Sequence, residues 1–272
     1  MAWDETTDAA ELWRRAGTWL GEHPVENAPL LAEVAHLLAA GAAPAGLACG
    51  WWSEDDGAVR GAYVGLPRHT PLLTRMPRAA LDELPSRLGP AGGVGVPAAI
   101  VDDIVEAWAA AGTRLVPGRV FTVHVLDGTP GPPAAVGHAR VAGPDDRALL
   151  HRWFDQLMAG LPGDPSDRAF VVDEPLATGA MVLWEVDDRP VAMCGRSGVL
   201  ADTMRMGACY APGGEVGHVE AVFAAAVLEA RHHASNVTVL AGADDEGEAA
   251  RLAASGFVAK ATRVALTARD DC

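Results

Sequence analysis

The chain of 272 residues is short of positive charge. Its 21 basic residues are 20 arginines and a single lysine, Lys260, set against 36 Asp and Glu, for a formal net charge of −15. Nucleic-acid phosphates and anionic membrane surfaces are held by clustered Lys and Arg, so the deficit argues against both as partners. No run approaches the roughly 18 uninterrupted apolar residues of a membrane-spanning helix. The opening residues, MAWDETTDAAELW, are acidic and lack the basic and apolar regions of a secretory signal. The four cysteines, Cys49, Cys194, Cys209 and Cys272, stand far apart with no CxxC spacing. Reduced thiols and a cytoplasmic location are therefore expected. No metal-ligand spacing, Ser-His-Asp arrangement, P-loop or GxGxxG is present. What the chain does have is apolar mass: 50 % of its residues are hydrophobic. That excludes wholesale disorder and supplies core for one large domain or two ordinary ones.

The clearest boundary is Asp127-Gly128-Thr129-Pro130-Gly131-Pro132-Pro133, where three prolines and two glycines can continue neither a helix nor a central strand. It predicts units over residues 1–127 and 137–272, joined by a linker over 128–136. The units share a pattern. In the first, helical periodicity over 7–20 and 28–40 precedes an apolar run at 47–53, a turn at Asp55-Asp56-Gly57 and a returning run at 58–65. In the second, a strand-like 138–141 leads to helical stretches near 145–159 and 166–178. A Trp-bearing run at 181–185, a turn at Asp187-Asp188-Arg189 and a returning run at 191–198 follow. Helices followed by an antiparallel hairpin, twice, predict tandem copies of one α/β unit. The second unit continues with a strand at 203–210, an apolar helix at 218–234, a strand at 237–241, a helix at 246–254 capped by Gly256, and a last strand to residue 266.

This order resembles the GNAT superfamily of acyl-CoA-dependent N-acetyltransferases. The residues that carry the likeness are Leu183-Trp184-Glu185, the Arg189–Gly195 strand, Met206-Gly207-Ala208-Cys209-Tyr210-Ala211-Pro212 and Ala254-Ser255-Gly256-Phe257. The likeness covers most of residues 138–266. The first unit, with its Gly50-Trp51-Trp52 run, is similar to the degenerate first copy of bacterial tandem-GNAT proteins. The resemblance implies an α/β fold of tandem GNAT-like units, each a mixed, mostly antiparallel sheet flanked by helices.

The cofactor signatures of that superfamily are missing. Its (Gln/Arg)-x-x-Gly-x-(Gly/Ala) loop brings backbone N–H groups and a helix N-terminus against the CoA pyrophosphate. Here it falls on Val216-Gly217-His218-Val219-Glu220-Ala221, and only the final small residue survives. Glu215 and Glu220 flank the place where two phosphate charges would sit. At an effective dielectric near 20, each such like-charge contact costs about 3–4 kcal/mol before screening. The superfamily's Asn and its proton-donating Tyr on the following helix are also absent. The Tyr position is Leu252, which has no proton to give.

The candidate site residues follow from this placement. His218 and Glu220, in the first turn of the former cofactor helix, read as an acid/base pair or as a solvated first turn. Cys209 and Tyr210 end the strand that pairs with the pantetheine arm in the superfamily. They read as a nucleophile and a displaced general acid, or as packing. Arg196 and Arg205, on adjacent predicted strands, read as a bidentate carboxylate or phosphate clamp, or as surface ion-pair partners. Trp52 and Trp184 read as ligand-stacking or core side chains. Gly213, Gly214 and Gly217 offer backbone donors if CoA binds. The functional expectation is a repurposed GNAT-fold protein with no cofactor. It would be a catalyst or complex subunit acting on a small amine-bearing metabolite, free or bound to a carrier protein. The alternatives are an acetyl-CoA-dependent N-acetyltransferase with an atypical loop, and a non-catalytic scaffold.

Overall fold

The computed structural model describes residues 1–41, 43–89 and 92–269. The first half begins with β1 (Ala2–Thr6), helices α1 (Ala9–Glu22) and α2 (Ala28–Ala40), and the hairpin β2 (Ala48–Ser53) and β3 (Val59–Gly65). It continues with β4 (Leu72–Leu73), α3 (Arg78–Leu88), β5 (Gly93–Pro97), α4 (Val101–Ala110) and β6 (Arg114–Leu126). The second half repeats the order. Strand β7 (His138–Val141) precedes α5 (Arg147–Ala159), a π-helical turn over Ala169–Asp173, and the short α6 (Glu174–Ala177). Then come β8 (Met181–Val186), β9 (Arg189–Arg196), β10 (Thr203–Tyr210), α7 (Val216–Ala230), β11 (Asn236–Gly242), α8 (Glu246–Ala254) and β12 (Phe257–Arg269).

Local chemistry fixes several junctions. Asp8 Oδ1 accepts the Ala10 amide at 2.9 Å and caps α1, while Asp245 Oδ1 does the same for Glu248 at 2.8 Å in α8. Asp187 and Asp188 both take positive φ, 49° and 56°, making the tight turn between β8 and β9 whose twist suits a two-residue hairpin. Gly256, just past α8, has φ 85°, a left-handed position that glycine adopts without penalty.

All the strands join one sheet in the order β1-β2-β3-β4-β5-β12-β6-β11-β10-β9-β8-β7. The halves are interleaved: β12, the last strand of the chain, lies between β5 and β6, and β6 in turn pairs with β11. Each half also buries apolar side chains on both faces of its sheet. In the first, Leu12, Leu20, Leu30 and Val34 pack beneath α1 and α2, and Leu81, Leu84, Ile104 and Trp108 pack beneath α3 and α4. In the second, Leu150, Trp153 and Phe154 lie under α5, and Val222, Phe223, Ala226 and Leu252 under α7 and α8. Helix α2 is apolar almost all round, with Leu30, Leu31, Val34 and Leu37 buried. Such a helix must be covered on more than one side. It packs on β3 and against β10 and α6 of the second half, which carries its polar side chains into the junction. Among the described residues no helix is long and apolar enough to cross a membrane.

Candidate functional site

The site is built by two strands that part. β10 and β11 run parallel only over Thr203–Arg205 and Asn236–Thr238. Beyond that pairing they diverge, and the register of β10 on β9 slips between Met206 and Cys209. Gly207 lets the backbones close there, since a Cβ on it would stand 3.1 Å from the Gly195 carbonyl oxygen. A cavity of about 460 Å³ opens at the divergence, lined by Gly207 and Cys209 of β10, Val239 of β11, Phe223 of α7, and Phe170 and Glu174 beside α6. Arg251, in a bidentate pair with Glu248 and stacked 4.5 Å over the Phe223 ring, also lines it.

Of the sequence candidates, Arg205, Arg196 and Cys209 line this cavity. The two arginines do not form a clamp. Arg196 pairs across the strands with Met206, so Arg205 is one residue out of register and points to the opposite face. The Arg196 guanidinium is buried. It donates to Gly179 O at 3.1 Å, approaches Met204 Sδ, and lies 4.0 Å from Glu229. Burial pulls its pKa below the usual arginine value. Arg205 leans over the Phe170 ring at 5.8 Å.

Cys209 corrects the expectation of reduced thiols: it faces Cys194 across β9 and β10, Cα to Cα 4.1 Å, and the two form a disulfide. Register, which is invisible in the sequence spacing, brings them together. A bridged sulfur is not a nucleophile. Cys49 is a free thiol, and burial pushes it up to about 12. Cys272 lies outside the described residues.

His218 and Glu220 are not brought together. Two positions apart on a helix they face different ways. His218 Nδ1 lies 2.8 Å from the Glu215 carboxylate, whereas Glu220 and Gly217 border a separate groove closed by linker residues 130–135. The Tyr210 hydroxyl donates to Gln156 Oε1 at 3.2 Å, away from the cavity lining. Trp52 is 2 % exposed and packs edge-on to Trp3 with ring centroids 5.9 Å apart. Trp184 is 3 % exposed, and its indole donates to Val136 O. Both tryptophans are core, which corrects their reading as ligand-stacking side chains. Leu252, at the expected proton-donor position, is fully buried.

The turn ahead of α7 is where the resemblance would place a CoA pyrophosphate. Gly213 and Gly214 adopt left-handed φ of 81° and 73° ahead of α7. Glu215 occupies its N-cap without a side-chain cap bond, and the Glu215 carbonyl takes the ordinary first-turn bonds from the His218 and Val219 amides at 3.1 and 3.3 Å. Its carboxylate stands beside the first turn where the phosphates would need to be.

Sequence reasoning missed a second group at the cavity. Glu174 Oε2 accepts a hydrogen bond from His36 Nδ1 at 2.8 Å, across the junction of the halves. The His36 ring meets Phe170 edge-on at 4.7 Å. The available signal was Glu33 and His36, two polar residues set within the otherwise apolar α2.

Comparison with solved structures fits this architecture. Over 99 % of this chain and 100 % of the other, it superposes with TM-score 0.62 and 8 % identity on a GNAT-family acetyltransferase from Colwellia psychrerythraea. A GCN5-related N-acetyltransferase from Sphaerobacter thermophilus matches at 0.56 and 18 % identity, over 80 % of this chain and 79 % of that one. A tandem GNAT protein from the clavulanic acid biosynthesis pathway, solved without acetyl-CoA, matches at 0.53 and 15 % identity over 98 % of both chains. No protein-family model matches the chain, and no curated protein matches it in sequence. The chain therefore has the GNAT fold. It carries that fold twice, as a tandem.

Proposed function

We propose that the cleft between β10 and β11 is the working site, and that it handles a small amine-bearing metabolite without acetyl-CoA in the pyrophosphate-bound pose. The observation that carries this reading is Glu215. Its carboxylate sits at the α7 N-cap, held to His218 at 2.8 Å. A helix N-terminus draws an anion through its free amides and its dipole; the Glu215 side chain makes no bond to those amides, but its charge stands beside them. An arriving pyrophosphate would meet the Glu215 carboxylate there. The buried Leu252 also offers no proton to a departing thiolate. The net charge of −15 favours a cationic ligand group over a polyanionic one.

One observation favours acetyl-CoA-dependent transfer as a second reading: the strands still part, and the cavity between them has room for a slender acyl arm. Calorimetric titration of the intact protein with acetyl-CoA separates the two readings. The expected result is no saturable heat at tens of micromolar ligand. Micromolar binding overturns the first reading and establishes the second.

A further inference from the structure

We propose that the cleft cavity takes a zwitterion, a small molecule with a carboxylate at one end and an ammonium at the other. Arg205 holds the carboxylate, Glu174 holds the ammonium, and Phe170 packs against the stem between them. The proposal rests on the cleft being the working site and deepens that reading to a class of substrate.

Two charged side chains at the cavity fail to meet. Arg205 and Glu174 line the same cavity of about 460 Å³. Among the described residues they form no ion pair within 4.0 Å, and Arg205 has no carboxylate partner at all. Glu174 is nine-tenths buried, with Oε2 bonded to His36 Nδ1 at 2.8 Å, yet its Oε1 has no hydrogen-bond partner. Arg205 Nε is likewise buried without an acceptor. Buried charged groups are rarely left this way, because each one withdrawn from water needs a partner. When one cavity is lined by an acid with a free oxygen and a base without a carboxylate partner that do not reach each other, a ligand with the opposite pair of charges satisfies both.

The surroundings set the orientation. Phe170 stands between the two groups in the contact chain, edge-on to His36 at 4.7 Å and beneath the Arg205 guanidinium at 5.8 Å. It presents an apolar wall to the middle of the ligand. His36 does not line this cavity. It acts through Glu174, holding one carboxylate oxygen while the other has no partner in the chain, and is a positioning residue. It comes from α2 of the first half, so the site in the second half is complete only when the halves are joined.

The test is calorimetric titration of the full chain with glycine, β-alanine, 4-aminobutyrate and 6-aminohexanoate, alongside butylamine and butyrate as single-ended probes. At least one zwitterion should bind ten-fold or more tightly than both single-ended probes. Glu174→Gln should weaken that zwitterion ten-fold or more while leaving butyrate as in the wild type. Arg205→Gln should weaken the zwitterion and butyrate together. Unliganded melting curves establish that each variant is folded. If Glu174→Gln does not fold, Arg205→Gln on the half-exposed strand decides. The proposal is overturned if no zwitterion outperforms its single-ended analogues, or if folded Arg205→Gln binds as the wild type does. Acetyl-CoA binding in the separate titration would overturn the cofactor reading above and leave this one standing.

Discussion

In the first half, β4 and β5 run parallel through a single register pair, Leu72 with Gly95, and the opening beyond them is filled from elsewhere in the chain. Arg263 of β12 places its guanidinium there, donating from Nη2 to Leu73 O at 2.8 Å and Gly95 O at 2.9 Å, and from Nη1 to Glu26 O at 3.3 Å. Burial pulls its pKa down to about 10, which still leaves it charged at neutral pH. In the second half the equivalent divergence of β10 and β11 stays open as the cavity at Arg205 and Glu174. One arginine is satisfied by backbone and stitches its strands, while the other is unsatisfied and faces a void. The two openings thus differ through where one side chain from a distant strand lands.

The largest test of that contrast is Arg263→Met. It leaves two buried carbonyls without their charged donor, and should lower the unfolding free energy in urea by about 3–5 kcal/mol. An unchanged midpoint would mean that the stitch is decorative and the two openings are alike. Next comes the disulfide beside the open cleft, which has no counterpart in the first half, where Cys49 stands alone. It closes a loop with a sequence separation of 15, and reduction should cost about 2–3 kcal/mol on the chain-entropy account. Alkylation of the denatured, unreduced protein followed by mass analysis should label Cys49 and spare Cys194 and Cys209.

The smallest effect concerns the outer edges of the two halves. The β1–β2–β3 edge is held by aromatics, Trp3 lying 5.9 Å from Trp52 and 5.4 Å from Tyr63. The β7–β8 edge is held by charge. Arg140 pairs with Glu185 at 2.7 Å and with Asp146 at 2.7 and 2.8 Å, and the Gly143 amide adds a further bond to Asp146. The Arg140 hydrogen bonds hold the Asp146 carboxyl below its usual range. A carboxyl whose native pKa is depressed stabilises fully above its unfolded value, near pH 4, and loses that contribution as pH falls through the native value. Asp146→Asn should therefore cost about 1–2 kcal/mol at pH 6. The gap between wild type and variant should close towards pH 3 in paired denaturation curves. A gap that persists in acid would show that the charge contributes nothing at this edge.

Much of the second half was legible from the chain alone. The strand at 138–141 and the helix at 246–254 coincide with β7 and α8, because alternation, an Asp cap and a glycine stop each act locally. The first half was legible only as far as β3. Strand β1 buries Trp3 alone among acidic neighbours, β4 has two residues, and β5 is Gly93-Val94-Gly95-Val96-Pro97, a composition that reads as a turn. Those segments are strands because β12 and its neighbours pair with them, and strand preference follows such context. The candidate site divides in the same way. Arg205 and Cys209 were found because they sit next to motif positions, and Glu174 and His36 were missed because 138 residues separate them.

The sequence by itself determined the tandem pattern, the absence of a positively charged, glycine-rich loop before α7, and the acidic residues that stand there. These are matters of composition and short-range spacing. The tertiary structure alone decided that Cys194 meets Cys209, that Trp52 and Trp184 are core, that Arg196 and Arg205 face opposite ways, and that Arg263 closes one opening while Glu174 faces the other. Each depends on strand register or on packing between distant segments. A shift of one residue in register reverses the face on which a side chain stands, and no local pattern in the chain records it.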